Sequence, residues 1–558
     1  MKSSAMHWPK HFYLITQAGQ AGPSGHGHRH AHHEQHGTKA GRESMGSKAY
    51  NLLRMAAIGL RVPPALVIGT QYTQAPDDCL LPAFSVGIPA LEEATGLALG
   101  DPRRPLVVSV RSGAPVSMPG MMETLLNVGL CDATLPGLLR QTGNPRMVWD
   151  AYRRLVASYA EVVAGVDPAL FEQEIARVAQ GRDERLLDFN ELRGLTRSFQ
   201  AIYQQQVGEP FPQSATAQLG AAIRAVFASW HAEKALSYRK LNHIDDRMGT
   251  AVTVQQMVFG NSGGHSGAGV GFTRDPMSGQ PAPWVDFLVN AQGEDVVSGR
   301  RNAHGHEALA EIAPDAWRQL QEGAQALEHE FKDMQDFEFT VQDGVLHWLQ
   351  TRAGKRTPLA SVRIALDLLE EGVIDEDAAL ERTQSVAVES LGTLQLVTQG
   401  EGGQAAQTLA RATSACPGVV SGEIALDGER AAARAAAGVP VVLVRQDAET
   451  ADIDALGHAL GLLTQRGART SHAAVVARQL GKVCLVGCGD LHIDLGGRRI
   501  QLGTKTLPEG DVISLDGNSG QVFAGAVAAV LVPDKPLQQR LLQLREKKAG
   551  GPSQAKAR

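Results

Sequence analysis

The sequence predicts a multidomain protein of mixed α/β and α+β class, and three observations predict it. The chain has 558 residues, 43% of them hydrophobic, enough for three or four domains at about 150 residues each, or for two large ones. Apolar residues recur at helical spacing across 144–242 and then switch to strict alternation from Gly249, the change of period that separates helix from strand. A Gly- and Gln-rich break, GEGGQAAQT, near residue 400 precedes a second α/β stretch over 411–530.

Taken in order, HFYLIT reads as a strand that runs into a low-complexity insert over 17–45, with six histidines between His26 and His36. Such a cluster reads either as a site that chelates Zn²⁺ or Ni²⁺ through neutral imidazoles or as a solvated loop. No cysteine or carboxylate framework nearby fixes a geometry, which favours the loop. SKAYNLLRMAAIGL is a helix with Gly59 placed to end it, and VPPALVIGT a strand. LVVSVRSGA is a strand followed by the loop SMPGMM. Between 144 and 242 the pattern is mostly helical. After it come the β segments VTVQQMVF, AGVGFT, WVDFLVN, DFEFTVQD and VLHWLQT. Thr357 caps a helix with Pro358 at its first position, opening a connector expected over 357–410. Over 411–530 the strands GEIAL, VPVVLV, GLLT, VCLVG and DVISLDG surround one strong helix, HAAVVARQLG. Residues 531–558 read as a short basic helix and tail.

Composition excludes several classes. A net charge of −6 gives no general attraction to nucleic acid or an anionic membrane. No segment reaches the roughly 18 apolar residues that span a bilayer, and the N-terminus lacks the apolar core of a signal peptide. Five cysteines in this length fit a reducing compartment better than a disulfide scaffold. The expectation is a soluble, cytoplasmic enzyme that binds neither nucleic acid nor membrane.

Four constellations carry chemistry. GNSGGHSGAGVGFTRDP, residues 260–276, has glycines that let backbone N–H groups approach phosphate oxygens, with Thr273 and Arg274 as further donors. On its own it reads first as a flexible turn. FEFTVQDGVLHWLQTR is a hairpin with Glu338 on one strand and Gln350 and Arg352 on the other. A carboxylate and an amide on one face can hold Mg²⁺ through oxygen, with Arg352 set to neutralise phosphate; an edge hairpin with solvated polar residues is the plainer reading. Lys48 and Arg111 are single basic residues that suit either a surface or a phosphoryl-transfer site. In GARTSHAAVVARQLG, Thr470 and Ser471 are candidate caps and His472 sits in the first turn. There the helix N-terminus favours an anionic adduct on a nucleophilic imidazole. An isolated histidine at such a position is more often a cap or a packing residue.

Read together, these motifs resemble the pyruvate, phosphate dikinase branch of the phosphoenolpyruvate-utilising enzymes. The likeness rests, in order, on VVSVRSGAPVSMPGMMETLLNVGL, NPRMVWDAYRRLVASYAEVVAGVD, GTAVTVQQMVFGNSGGHSGAGVGFTRDP, NAQGEDVVSG, LQTRAGKRT, ARTSHAAVVAR and DVISLDGNSGQV. The resemblance implies an ATP-grasp nucleotide-binding domain over 1–356, a helical connector over 357–410 and a swivelling phosphohistidine domain over 411–530. Carried over by position, Lys48, Arg111 and Arg352 hold the triphosphate, and Gly263, Gly264, Gly267 and Gly269 cover it with Thr273 and Arg274. Gln256, Met257 and Val258 line the adenine pocket, Glu338 and Gln350 hold Mg²⁺, and His472 carries the phosphoryl group. The implied substrates are ATP and inorganic phosphate. The sequence after 530 is too short for the TIM barrel that completes such enzymes, which needs about 250 residues. Pyruvate is therefore expected on a separate barrel subunit, with a homo-oligomer left open. Transfer to another acceptor, or a silent nucleotide-binding module, are the rival readings. The chain departs from the pattern at Ser47 and Ala49, which replace glycines beside Lys48. Pro115 stands where an arginine is usual, and Ala468-Arg469 replaces Gly-Met before Thr470.

Overall fold

Short β-branched runs flanking the N-terminal helices form a five-stranded antiparallel sheet in the computed structural model, which describes residues 8–17, 40–118, 120–297, 305–397, 407–447, 452–467, 469 and 472–549. The strands are β1 (Phe12–Ile15), β2 (Ala65–Ile68), β3 (Val108–Gly113), β4 (Thr124–Val128) and β5 (Ala251–Gln256), in the order β1-β2-β5-β3-β4. Most of the histidine-rich insert lies outside the described residues. The chain divides into two units, 1–263 with 346–351, and 264–345 with 352–558.

In the first unit the sheet is covered by helices whose apolar stripes read directly from the sequence. Helix α1 (Arg42–Ala57) buries Met45, Leu52, Leu53 and Met55. Helix α2 (Pro145–Ala164) has Asn144 as its cap, accepting from Met147 N at 3.0 Å. Helix α3 (Phe189–Val207) starts from a reciprocal capping box between Asp188 and Glu191. Each cap satisfies N–H groups that the first turn leaves open and is worth about 1 kcal/mol. These helices and α4 (Ala215–Ala228) enclose one large core containing Leu66, Val110, Tyr152, Leu155, Phe199, Ile223 and Phe227.

The second unit begins with a sheet in which β6 (Gly267–Phe272) is flanked by β7 (Trp284–Val289) and β8 (Gln335–Gln342), both antiparallel to it. The strand β9 (Val345–Ala353) follows the Asp343-Gly344 turn and is shared between the units. Helix α5 (Pro314–Phe331) precedes β8. Helices α6 (Pro358–Glu370) and α7 (Glu376–Thr383) then form a hairpin, α6 capped by the Thr357 hydroxyl accepting from Ala360 N at 3.1 Å. Beyond it β10 (Gly392–Leu396) leads into an eight-stranded sheet.

That sheet contains β11 (Thr408–Arg411), β12 (Thr413–Cys416), β13 (Val419–Ala425), β14 (Val441–Arg445), β15 (Gly461–Thr464) and β16 (Val483–Val486). A separate three-stranded ribbon, β17 (Leu491–Asp494), β18 (Arg499–Leu502) and β19 (Lys505–Pro508), precedes its last two members, β20 (Val512–Asp516) and β21 (Gln521–Ala524). The order is β11-β21-β20-β13-β14-β15-β16-β12, parallel from β13 to β16 and antiparallel outside. Helix α8 (His472–Gln479) makes the crossover from β15 to β16, burying Ala474 and Ala477 on the sheet. The exit strand β22 (Ala529–Pro533) pairs back with β10 as a two-stranded ribbon. The last helix, α9 (Lys535–Ala549), packs Leu537, Leu541 and Leu544 into the α6–α7 core. Among the described residues no helix is long and apolar enough to cross a membrane.

Candidate functional site

In the first unit, Lys48, Arg111 and Gln350 gather at the end of β3. Helix α1 begins at Arg42, earlier than the sequence suggests, and kinks at Gly46, where φ is +75°. A Cβ there would lie 1.8 Å from Gly113 O, so only glycine lets the helix meet the strand this closely. Ser47 locks the kink, its N–H and hydroxyl both donating to Ala114 O at 2.9 Å. Lys48 follows in the next turn, and a Cβ on Gly113 would meet Lys48 Cβ at 3.9 Å. Arg111 lies on the same face of β3 as Gly113, two residues earlier. It donates to Gln350 Oε1 in a long contact of 3.4 Å. Gln256 and Met257, leaving β5, donate their N–H groups to Pro64 O and Val107 O at 3.0 and 2.9 Å, and Val258 is buried.

In the second unit, register places the acidic residues on one face. Val270 of β6 faces Asp286 on one side and Glu338 on the other, and Phe272 faces Trp284 and Asp336 in the same way. Asp286, Glu338, Trp284 and Asp336 therefore share a face, with Asp286 and Glu338 about 10 Å apart across two strand spacings. Asp336 accepts from Arg352 Nε at 2.9 Å. Burial pushes the Asp336 carboxyl above its ordinary range, and Arg352 beside it pulls the other way. The Asp336 charge in turn raises the Arg352 pKa. Sequence reasoning selected Glu338 and passed over Asp336, although DFEF alternation puts both on one face.

Arg469 and Arg478, on either side of His472 in the chain, contact this same face. His472 is the first residue of α8, at the carboxyl end of β15, where a parallel sheet leaves room for a ligand. Arg469, three residues earlier, donates to Asp286 Oδ1 through Nε at 2.8 Å and Nη2 at 2.5 Å, and its guanidinium sits 4.2 Å over the Trp284 ring. Arg478 of α8 is fully buried, 5.2 Å from the Phe272 ring and 5.4 Å from Trp284. Burial lowers its pKa. Its Nη2 donates to Ala415 O and Arg469 O at 3.1 and 3.0 Å. Thr470 and Ser471 lie outside the described residues.

Two groups of expected phosphate ligands are placed otherwise. Thr273 donates to Glu328 at 2.6 Å. Arg274 is buried among Glu328, Glu371 and Asp367, with contacts of 2.9, 2.9 and 3.4 Å. Their donors are saturated by carboxylates, so both belong to the framework joining β6 to α5 and α6. Gly267 and Gly269 lie within β6, where a Cβ would come within 2.2 Å of Phe287 and 2.3 Å of Phe339. Ring packing demands glycine at both. Gly263 and Gly264, in the preceding turn, have open space around them. Cys484 and Cys488 are buried free thiols, and burial raises both pKa values.

Residues 88–311 match the family described as pyruvate phosphate dikinase, AMP/ATP-binding domain, and residues 438–520 match the PEP-utilising enzyme mobile domain. Over 508 residues, 88% of the chain, it is 40% identical to the pyruvate, phosphate dikinase of Clostridium symbiosum, covering 57% of that protein. The chain carries both of these domains and is homologous to pyruvate, phosphate dikinases. Pyruvate, phosphate dikinase 2 of Zea mays is 40% identical over 499 residues (88% of the chain, 56% of that protein). The Rhizobium meliloti enzyme is 40% identical over 514 residues (88% and 57%). The chain thus spans a little over half the length of the curated relatives it matches. In family terms, the Arg469–Asp286 pair joins the mobile-domain match to the AMP/ATP-binding match.

Proposed function

We propose that the chain is an ATP-dependent histidyl phosphotransferase in which His472 takes a pyrophosphoryl group from ATP. The neutral imidazole attacks the β-phosphorus, the bond from that phosphorus to the α-phosphate oxygen breaks, and AMP leaves. Inorganic phosphate then attacks the outer phosphorus, releasing pyrophosphate and leaving phosphohistidine. The proposed final acceptor is pyruvate. The described residues contain no βα barrel, so its site is assigned to a barrel outside them or on a partner.

The observation that supports this reading is that Arg469, three residues before His472, pairs with Asp286 on the sheet face that carries Glu338 and Asp336. Lys48, Arg111 and Arg352 are proposed to hold the triphosphate, Gln256, Met257 and Val258 the base, and the Gly263–Gly264 turn the phosphates. Glu338 and Gln350 would hold Mg²⁺, whose role is to neutralise charge on the phosphates. Their oxygen donors suit it, and no group of three His, Cys, Asp or Glu competes for it among the described residues. One carboxylate and one amide leave most of an octahedral shell to phosphate oxygens and water, as Mg²⁺ prefers. The ribbon of β10 and β22 is the proposed hinge on which His472 leaves the ATP half.

Labelling with ATP radioactive at the β-phosphate tests the reading. Acid-labile label on the wild type and none on His472→Ala is expected. A wild type that binds ATP yet takes no label overturns it.

A further inference from the structure

Three residues before His472, Arg469 reaches the sheet face that carries Asp286 and Glu338. We propose that Arg469 is a positioning residue: it anchors the loop by inserting its guanidinium between the Asp286 carboxylate and the Trp284 ring. The inference rests on the histidyl-transfer reading and names the contact that sets its geometry.

Three observations lead to it. Asp286 sits in β7 with a side chain only 1% exposed, and among the described residues the cation it meets is Arg469. A buried carboxylate is unfavourable without a partner, and this partner comes from 183 residues further along the chain. The contact is also shaped, not merely charged. Nε and Nη2 converge on one carboxylate oxygen, Nη2 also reaches Val285 O at 3.2 Å, and the plane lies over Trp284. A lysine ammonium lacks that fork and plane. Finally, Arg469 is fastened to the helix that His472 begins, because its carbonyl accepts from Arg478 Nη2 at 3.0 Å. The anchor cannot shift without pulling on α8.

The spacing agrees with the role. Three residues span at most about 10 Å, and two strand spacings from Asp286 to Glu338 are also about 10 Å. With Arg469 fixed on Asp286, His472 is within reach of the row that carries Glu338. The resemblance has methionine at this position, so the anchor is a feature of this chain, set in a strand that reads as apolar apart from Asp286.

The test uses the full chain with Arg469→Met, Arg469→Lys, Asp286→Asn and the Arg469→Met/Asp286→Asn double variant. Single-turnover labelling of His472 at saturating ATP is expected to slow at least tenfold in Arg469→Met, with the Kd for ATP unchanged within twofold. Asp286→Asn should show a similar loss, the double variant no further loss, and Arg469→Lys a partial recovery. Wild-type labelling by Arg469→Met, an ATP affinity that falls in step with the rate, or additive losses in the double variant would each overturn the anchor. Hydrogen exchange keeps the anchor separable from the transfer reading. Both single variants should lose protection at Trp284–Val289 and His472–Gln479, even if no variant and not the wild type takes label. Unchanged protection in both defeats the anchor, whatever the labelling shows.

Discussion

Two arginine clusters stand at opposite ends of use in the second unit. Around Arg274 every direction is taken: Glu328 chelates Nε, Glu371 takes Nη2 with both oxygens, and Asp367 approaches Nη1, with the arginine side chain 3% exposed. Around Arg352 the fit is open. Nε is held by Asp336, the side chain is 41% exposed, and its Nη groups take no hydrogen bond among the described residues. A saturated guanidinium can only brace the fold, whereas one fixed at a single nitrogen keeps a fork of donors for a phosphate. Both arginines follow a threonine at a strand end, so sequence alone puts them in the same class.

The contrast is broken most forcefully at Arg274. Replacing it with methionine leaves Glu328 and its neighbours without their cation, and breaking such a buried network costs about 3–5 kcal/mol. The urea midpoint should fall accordingly, with ATP affinity at low denaturant little changed. A large loss of affinity in a variant that remains fully folded would return Arg274 to the nucleotide site. Arg352→Ala is the counterpart. It should cost less unfolding free energy than Arg274→Met, because burial already raises the Asp336 pKa and lets that lone partner protonate, and slow His472 labelling by about a hundredfold, the scale of one lost transition-state donor. Equal loss of stability and labelling would make Arg352 a brace as well.

What the sequence made legible follows from the range of the interactions. Periodicity located β5 to β9, the capped α6 and the histidine helix, because each is set by neighbours a few residues away. The ribbon of β17 to β19 is hard to read from sequence because each strand has only four residues, too few for the alternation in LHID and RIQL to stand out. Thr273 and Arg274 were placed on phosphate because their partners lie 54 to 97 residues away, out of reach of any local pattern. Gly267 and Gly269 looked like phosphate glycines until Phe287 and Phe339 appeared beside them. Asp286 left a usable signal: a carboxylate inside WVDFLV is an acid in a strand otherwise fit for burial, and a buried acid calls for a cation. Arg469 departs from the family pattern, and it is the cation that meets Asp286.

The smallest effect sharpens the comparison from the acid's side. Burial holds the Asp336 carboxyl above the ordinary carboxylate range, and the attraction of Arg352 does not reverse the shift. An acid whose folded pKa exceeds its unfolded one binds its proton more tightly when folded. Its stabilising contribution is therefore complete below the unfolded value and is lost as pH rises through the folded one. Asp336→Asn removes that titration while keeping the shape. The variant should lose less stability than wild type between pH 4 and pH 7, and at pH 7 it should match or exceed wild type by under about 1 kcal/mol. Urea midpoints at pH 4, 5 and 7 measure this. His472 labelling should slow in the same variant, because Arg352 loses the carboxylate that orients it. If Asp336→Asn were instead less stable at pH 7 and equal at pH 4, the pair with Arg352 would outweigh burial. The cluster around Arg352 would then be a brace of the same kind as the one around Arg274, and the distinction between them would fail.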